Sequence, residues 1–272
     1  MFINEFLSRL PALTCALGLT TAIGLVSIAN AEAQSAKPTI VLVHGAWADS
    51  SSWNGVVDLL LREGYNVRAV PNTLRGLEAD AAVVSTYLKT VSGPVVLVGH
   101  SYGGAVITVA SANSPNVKGL VYVDAFAPDA GESIEEEYAG TPPPPADFTI
   151  KVPFTTSTES GIDTYVNAKY FGTIFASAET PQVAARLAAT QRPFAARCLT
   201  DKAPVAIGWK TIPSWYVMGD ADKVIPPDLQ QKFATRAKSK IYHVPNGDHP
   251  SMIAHPEVTV AAIKDAASAI SR

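Results

Sequence analysis

The run V-V-L-V-G-H-S-Y-G-G, from Val95 to Gly104, constrains the fold of this chain more than any other stretch. Four apolar residues of strand character lead straight into a serine between glycines, and residues 105–112 read as a helix beyond it. This is the G-x-S-x-G form in its required context, a strand that turns sharply into a helix. The glycines permit a tight turn and close strand–helix contact. The start of the helix turns free backbone N–H groups toward the hydroxyl. A strand that ends this way belongs in a parallel sheet whose crossovers are helices.

The rest of the chain supplies that sheet. Residues 39–43, 66–70, 95–98, 119–123, 214–219 and 240–244 read as strands, several of them continuous apolar runs of the kind buried on both faces. Residues 51–62 (with Ser51 or Ser52 as a cap), 79–90, 105–112, 227–237 and 256–270 read as helices. The alternation predicts an α/β fold, a mostly parallel sheet of about six strands with helices on both faces. It breaks at about residues 126–210, where E-E-E and T-P-P-P-P precede short helix-like pieces around 163–170 and 180–189. Four consecutive prolines exclude an interior helix or a central strand. This part is expected to be an insertion over one end of the sheet, within one domain spanning 34–272.

Residues 1–33 differ from the rest. Arg9 precedes an apolar stretch from about Leu10 to Ile28, followed by A-N-A-E-A. This reads as a secretory signal cleaved after Ala31 or Ala33, which implies a secreted or periplasmic protein with no stable membrane insertion after cleavage. Removing it leaves Cys198 alone, so an internal disulfide is not expected. The net charge is -3 and no basic block occurs, which argues against nucleic-acid partners.

A serine hydroxyl needs a base, because it is a poor nucleophile at its own pKa. Of the histidines, His44 and His100 flank glycine turns at strand ends, His243 lies inside the last strand, and His255 opens the last helix. His249, in N-G-D-H-P just beyond the last strand, opens at the same sheet edge as Ser101 and is the best base, with Asp248 beside it as a loop brace. The orienting acid has three candidates in the chain order Ser, Asp, His: Asp124, Asp220 and Asp222. Asp220 sits close to a strand end, whereas Asp222 lies further into the loop, with better reach toward a neighbouring loop. The N–H groups of Tyr102 and of Ala46, in H-G-A-W after the first strand, would hold a developing oxyanion. Trp47, Phe126 and Trp209 are candidate pocket residues, Phe126 having the best placement. The acids and histidines show no metal-ligand spacing and H-G-A-W is no dinucleotide fingerprint, so neither metal nor cofactor is expected.

With these residues in place, the chain resembles the α/β-hydrolases. V-L-V-H-G-A-W, G-H-S-Y-G-G, V-Y-V-D-A-F-A-P, G-D-A-D-K-V-I-P and V-P-N-G-D-H-P-S-M resemble the branch of plant methylesterases, hydroxynitrile lyases and small bacterial carboxylesterases. The resemblance implies an α/β-hydrolase fold with a small helical cap. It implies Ser101 as nucleophile, Asp222 as acid, His249 as base, and the amides of Ala46 and Tyr102 as the oxyanion hole. Lyases of this branch carry a lysine directly after the catalytic histidine and a hydroxyl-bearing residue at the position of Ala46. Here Pro250 follows His249. The implied activity is hydrolysis of a small-molecule aryl or alkyl carboxylic ester by a monomer or homodimer. Cyanohydrin cleavage, cofactor-free haloperoxidase or perhydrolase chemistry, and amide or lactone hydrolysis are the alternatives.

Overall fold

Nine strands and nine α-helices lie along residues 37–271, the part of the chain that this computed structural model describes. The leader expected over 1–33 lies outside the described residues. In chain order, β1 (Thr39–Val43), α1 (Asn54–Arg62), β2 (Val67–Val70), α2 (Leu77–Leu88), β3 (Val95–His100), α3 (Tyr102–Ser111) and β4 (Val117–Val123) come first. Then follow α4 (Ile134–Glu137), β5 (Thr149–Thr155), β6 (Ser160–Val166), α5 (Pro181–Ala189), β7 (Phe194–Ala195) and α6 (Arg197–Thr200). Next come β8 (Ser214–Gly219), α7 (Pro227–Arg236), β9 (Lys240–Val244), α8 (Ser251–Ala254) and α9 (Pro256–Ile270).

Six strands form one parallel sheet in the order β2-β1-β3-β4-β8-β9, and they are the six that the sequence predicts. The apolar runs have a simple cause. Ile40, Leu42, Val96, Val98, Val121 and Val123 pack with α1 and α9 on one face. Val41, Val43, Val95, Leu97, Leu120 and Tyr122 pack with α2, α3 and α7 on the other. The central strands β1, β3 and β4 therefore need apolar side chains at successive positions, whereas the edge strands β2 and β9 expose residues such as Arg68 and His243. One cap differs from expectation. A 3₁₀ turn, Ser50–Trp53, precedes α1 and is capped by Asp49, whose carboxylate accepts the Ser51 N–H at 2.7 Å, while α1 itself starts after Trp53 with no side-chain cap.

The segment between β4 and β8 contains more β-structure than its sequence suggests. β5, β6 and β7 form an antiparallel three-stranded sheet beside the short helices. Residues 163–166, read as helix-like, are the end of β6, with Thr164 and Val166 buried. Period-two burial of β-branched residues outweighs the weak helical pattern there. The segment rests on loops at the C-terminal ends of the main strands. The Trp47 indole N–H donates to the Thr164 carbonyl at 3.0 Å, and the Ala195 N–H donates to the Leu74 carbonyl at 3.1 Å.

Candidate active site

Register brings the key loops together. Val43 of β1 pairs with Gly99 of β3, so H-G-A, residues 44–46, lies beside H-S-Y, residues 100–102. His100 pairs with Val123 of β4, which places Asp124 beside Ser101. Gly219 pairs with Val244, so the loops after β8 and β9 open at the same sheet edge. Parallel sheets bind ligands at this edge, where helices leave the strands in opposite directions.

Ser101 is held at φ 52°, ψ -124°, the left-handed side of the map that costs a non-glycine residue strain. The turn is pinned at both ends of that residue. The Ser101 N–H donates to the Val123 carbonyl at 3.1 Å, and the Ser101 carbonyl accepts from Phe126 N–H at 3.2 Å and Gly104 N–H at 2.9 Å. Gly45 must be glycine, since a Cβ there would stand 2.7 Å from the Ser101 Cβ. That close approach sets the loop that carries Ala46 against the turn. The Tyr102 N–H, in the first turn of α3, has no intrahelical acceptor.

Three side chains from three loops form one chain of hydrogen bonds. The Ser101 hydroxyl lies 2.9 Å from His249 Nε2, and His249 Nδ1 lies 2.9 Å from Asp222 Oδ2. The Asp222 carboxylate also accepts from the N–H groups of Val224 at 2.7 Å and Ile225 at 2.9 Å, and from Gln230 Nε2 at 2.9 Å. With Asp222 saturated by donors, His249 carries its proton on Nδ1 and offers Nε2 as an acceptor to the serine. His249 is fully buried, and Ser101 is only 4 % exposed.

The other acids and histidines go elsewhere. Asp220 pairs with His243 at 2.7 Å on the exposed surface. Asp124 braces the sheet end, accepting the Gly219 N–H at 2.7 Å and the Ser251 hydroxyl at 2.5 Å. Burial raises its carboxyl well above the usual range, reinforced by the charge of Asp222. His100 Nε2 donates to the His249 carbonyl at 3.0 Å and so supports the loop that carries His249. Burial lowers His100 well below the usual histidine range, and His249 beside it adds to this. His44 accepts the Asn72 N–H at 2.9 Å and is likewise lowered by burial. His255 lies 3.6 Å from Glu257 at the start of α9. Asp248 ties the His249 loop to the inserted segment by accepting the Ala178 N–H at 2.8 Å.

The candidate pocket residues separate. Trp47 meets Phe148, Phe175 and Phe194 edge to face, and Phe175 in turn packs against the His249 ring at 5.2 Å. Phe126 lies beside the serine turn, with its ring against Tyr138 and Phe233. Trp209 is a correction. It lines a groove of about 470 Å³ with Ser214, Trp215 and Lys240, at the starts of β8 and β9, the opposite edge of the sheet from Ser101. Its indole donates to the Pro128 carbonyl at 3.0 Å, which holds it there. Gln230, fully buried on α7, goes unnoticed in the sequence, although it shares the inward face of that helix with Phe233. Among the described residues, no group of three or more His, Cys, Asp or Glu side chains converges as a metal site.

A family model described as "Alpha/beta hydrolase family" matches residues 40–262. A carbendazim-hydrolysing esterase from Nocardioides sp. is 37 % identical over 107 residues, 35 % of this chain and 44 % of that protein. The chain thus aligns with less than half the length of that esterase. An α-hydroxynitrile lyase from Arabidopsis thaliana is 26 % identical over 247 residues, 81 % of this chain and 93 % of that one. Among solved structures, polyneuridine aldehyde esterase superposes with a TM-score of 0.73 at 19 % identity, covering 84 % of this chain and 98 % of that one. A pyrethroid hydrolase from Sphingobium faniae superposes at 0.67 with 21 % identity, covering 85 % and 98 %. At these identities the superpositions speak for the fold.

Proposed function

The chain belongs to the alpha/beta hydrolase family, and we propose that within it the protein is a serine carboxylesterase acting on small to medium apolar esters. The observation that carries this is the unbroken relay from Ser101 through His249 to Asp222, with 2.9 Å at each step. Ser101 attacks the ester carbonyl while His249 Nε2 takes its proton. The amides of Ala46 and Tyr102 stabilise the negative oxygen of the tetrahedral intermediate. The protonated His249 returns its proton to the leaving alcohol. Water, deprotonated by His249, then releases the acid and restores the serine. Asp222 holds the imidazole in the required tautomer and stabilises its charged form.

The aromatic surroundings support an apolar substrate. Phe175 stands against His249, and Trp47 directly follows Ala46. The inserted segment, about 126–210, acts as a cap over the site in this reading. The relatives, whose names include a carbendazim-hydrolysing esterase and a pyrethroid hydrolase, support hydrolysis of an ester, and an aryl or alkyl ester from outside the cell fits the export expected from residues 1–33. Residues 1–33 support export, which N-terminal sequencing of the released protein tests. Among the described residues, no helix is long and apolar enough to cross a membrane. Pro250 after His249 supports hydrolysis over cyanohydrin cleavage.

The test is hydrolysis of p-nitrophenyl acetate, butyrate and octanoate by the purified protein and by Ser101→Ala. Activity confined to the wild type supports the reading, and the chain-length profile bounds the acyl pocket. Inactivity on all three, with cyanohydrin cleavage or peroxide-dependent halogenation present instead, overturns it.

A further inference from the structure

A second buried acid stands behind the serine turn. Asp80, in the first turn of α2, is fully buried, and so is the Tyr102 side chain whose phenol donates to its Oδ2 at 2.6 Å. Asp80 Oδ1 takes the Thr73 hydroxyl and, at 3.1 Å, the Arg75 N–H. One carboxyl thus gathers donors from the residue after the nucleophile and from the loop after β2. A buried acid is costly to maintain, and an apolar residue of similar size would fill the space at less cost. What a carboxyl supplies here is direction, since it fixes its donors in position where a methyl group does not.

The direction matters because of where Tyr102 sits. Its N–H is the first amide of α3, next to a serine already strained at φ 52°. The amide and the phenol share one Cα, so a hold on the phenol restrains the backbone that carries the amide. The ring is clamped on its other side by Phe194 of β7, at 5.0 Å, and Phe194 meets Trp47 at 5.3 Å. Trp47, itself at φ 58°, directly follows Ala46. Tyr102 and Trp47, the residue after Ala46, are therefore joined through one ring of the inserted segment, and of the two Tyr102 is the one whose far end is held by a carboxyl. Donors that stabilise an oxyanion act by being aimed in advance, and small misplacements cost rate.

We infer that Asp80 is a positioning residue for catalysis, which aims the Tyr102 amide at the oxyanion by holding the Tyr102 phenol. This rests on the carboxylesterase reading above. The test compares wild type, Tyr102→Phe, Asp80→Asn and the double variant for kcat and KM on p-nitrophenyl butyrate. It adds melting temperature and the rate at which a fluorophosphonate labels Ser101. Tyr102→Phe keeps the ring and its packing on Phe194 while removing the phenol's hydrogen bonds to Asp80 and to the Cys198 thiol, and Asp80→Asn separates the two. The expected result is a loss of about tenfold in kcat with KM changed less than twofold. The labelling rate falls in parallel, and the double variant is no slower than the slower single one. A structural role alone would lower the melting temperature and leave these rates in place. A kcat and a labelling rate for Tyr102→Phe within twofold of wild type overturn the inference, as does a loss confined to KM. If Asp80→Asn does not fold, Tyr102→Phe decides alone. A wild type that hydrolyses no ester overturns the carboxylesterase reading, and the labelling rates then still decide the positioning role. A wild-type Ser101 that resists labelling overturns both.

Discussion

Asp222→Asn separates the proposed acid from its neighbours. The Asp222 carboxylate accepts four hydrogen bonds, two on each oxygen: Val224 and Ile225 N–H on Oδ1, His249 and Gln230 on Oδ2. Asparagine brings one acceptor oxygen. The two backbone amides cannot turn away, so they keep it, and the new NH₂ faces His249 Nδ1. A donor there forces the imidazole to accept on Nδ1 and to carry its proton on Nε2, toward Ser101. The base is then in the wrong tautomer and its protonated form has lost its counter-charge. The expected loss is about 10³- to 10⁴-fold in kcat, roughly 4–5.5 kcal/mol of barrier, with KM little changed. Folding loses only about 1–3 kcal/mol, from the exchanged hydrogen bonds. Kinetics on p-nitrophenyl butyrate, with thermal melts of the same samples, measure both. Asp220→Asn, which touches only the exposed His243, should leave kcat within about twofold. A loss below tenfold for Asp222→Asn, or a larger loss for Asp220→Asn, refutes the reasoning.

Other perturbations follow from burial. Glu137 is buried beneath Arg236, and burial pushes its carboxyl up to about 8 from 4.5 despite that guanidinium. A carboxyl raised on folding favours the folded state most at low pH, and this contribution is lost as pH rises from 4.5 to about 8. Glu137→Gln should therefore lose less melting temperature between about pH 5 and about pH 8.5 than the wild type does, and equal slopes would count against it. Cys198 is fully buried with its thiol pushed up to about 12. Iodoacetamide should leave it untouched in the folded protein and label it after denaturation; labelling of the native protein would contradict this. Phe175→Ala removes the ring against His249 and should raise KM for aryl esters about fivefold, while Trp209→Ala, at the other edge of the sheet, leaves KM unchanged. The opposite ranking would place the pocket elsewhere.

The main sheet was legible because its central strands are apolar runs and its strands are bounded by punctuation, such as Pro94 before β3 and Pro71 after β2. The serine turn was legible because glycine is the residue that admits such close contacts, as Gly45 shows against Ser101. The inserted segment was harder to read. Strand β5, T-I-K-V-P-F-T, is mostly exposed and carries a proline, so it lacks the buried alternation that marks a strand. The acids could not be separated by spacing, because Asp220 and Asp222 are two residues apart and differ only in which way the loop turns them. Asp222 faces inward to His249 and Asp220 outward to His243. Trp209 shows the converse limit, since an aromatic residue in an irregular segment gives no sign of which sheet edge it will reach. Gln230 and Asp80 were missed because a lone polar residue on a helix looks solvent-facing until its neighbours are known.

The most direct measurement is the covalent intermediate. Purified protein is mixed with p-nitrophenyl acetate, quenched with acid during the first turnovers, digested and mapped by mass. A serine hydrolase working through Ser101 carries an acetyl group on the peptide containing Ser101, formed as p-nitrophenol is released in a burst, and Ser101→Ala carries none. Steady hydrolysis with the acetyl group on another residue, or in undiminished amount with Ser101→Ala, would contradict the assignment of Ser101 as the nucleophile.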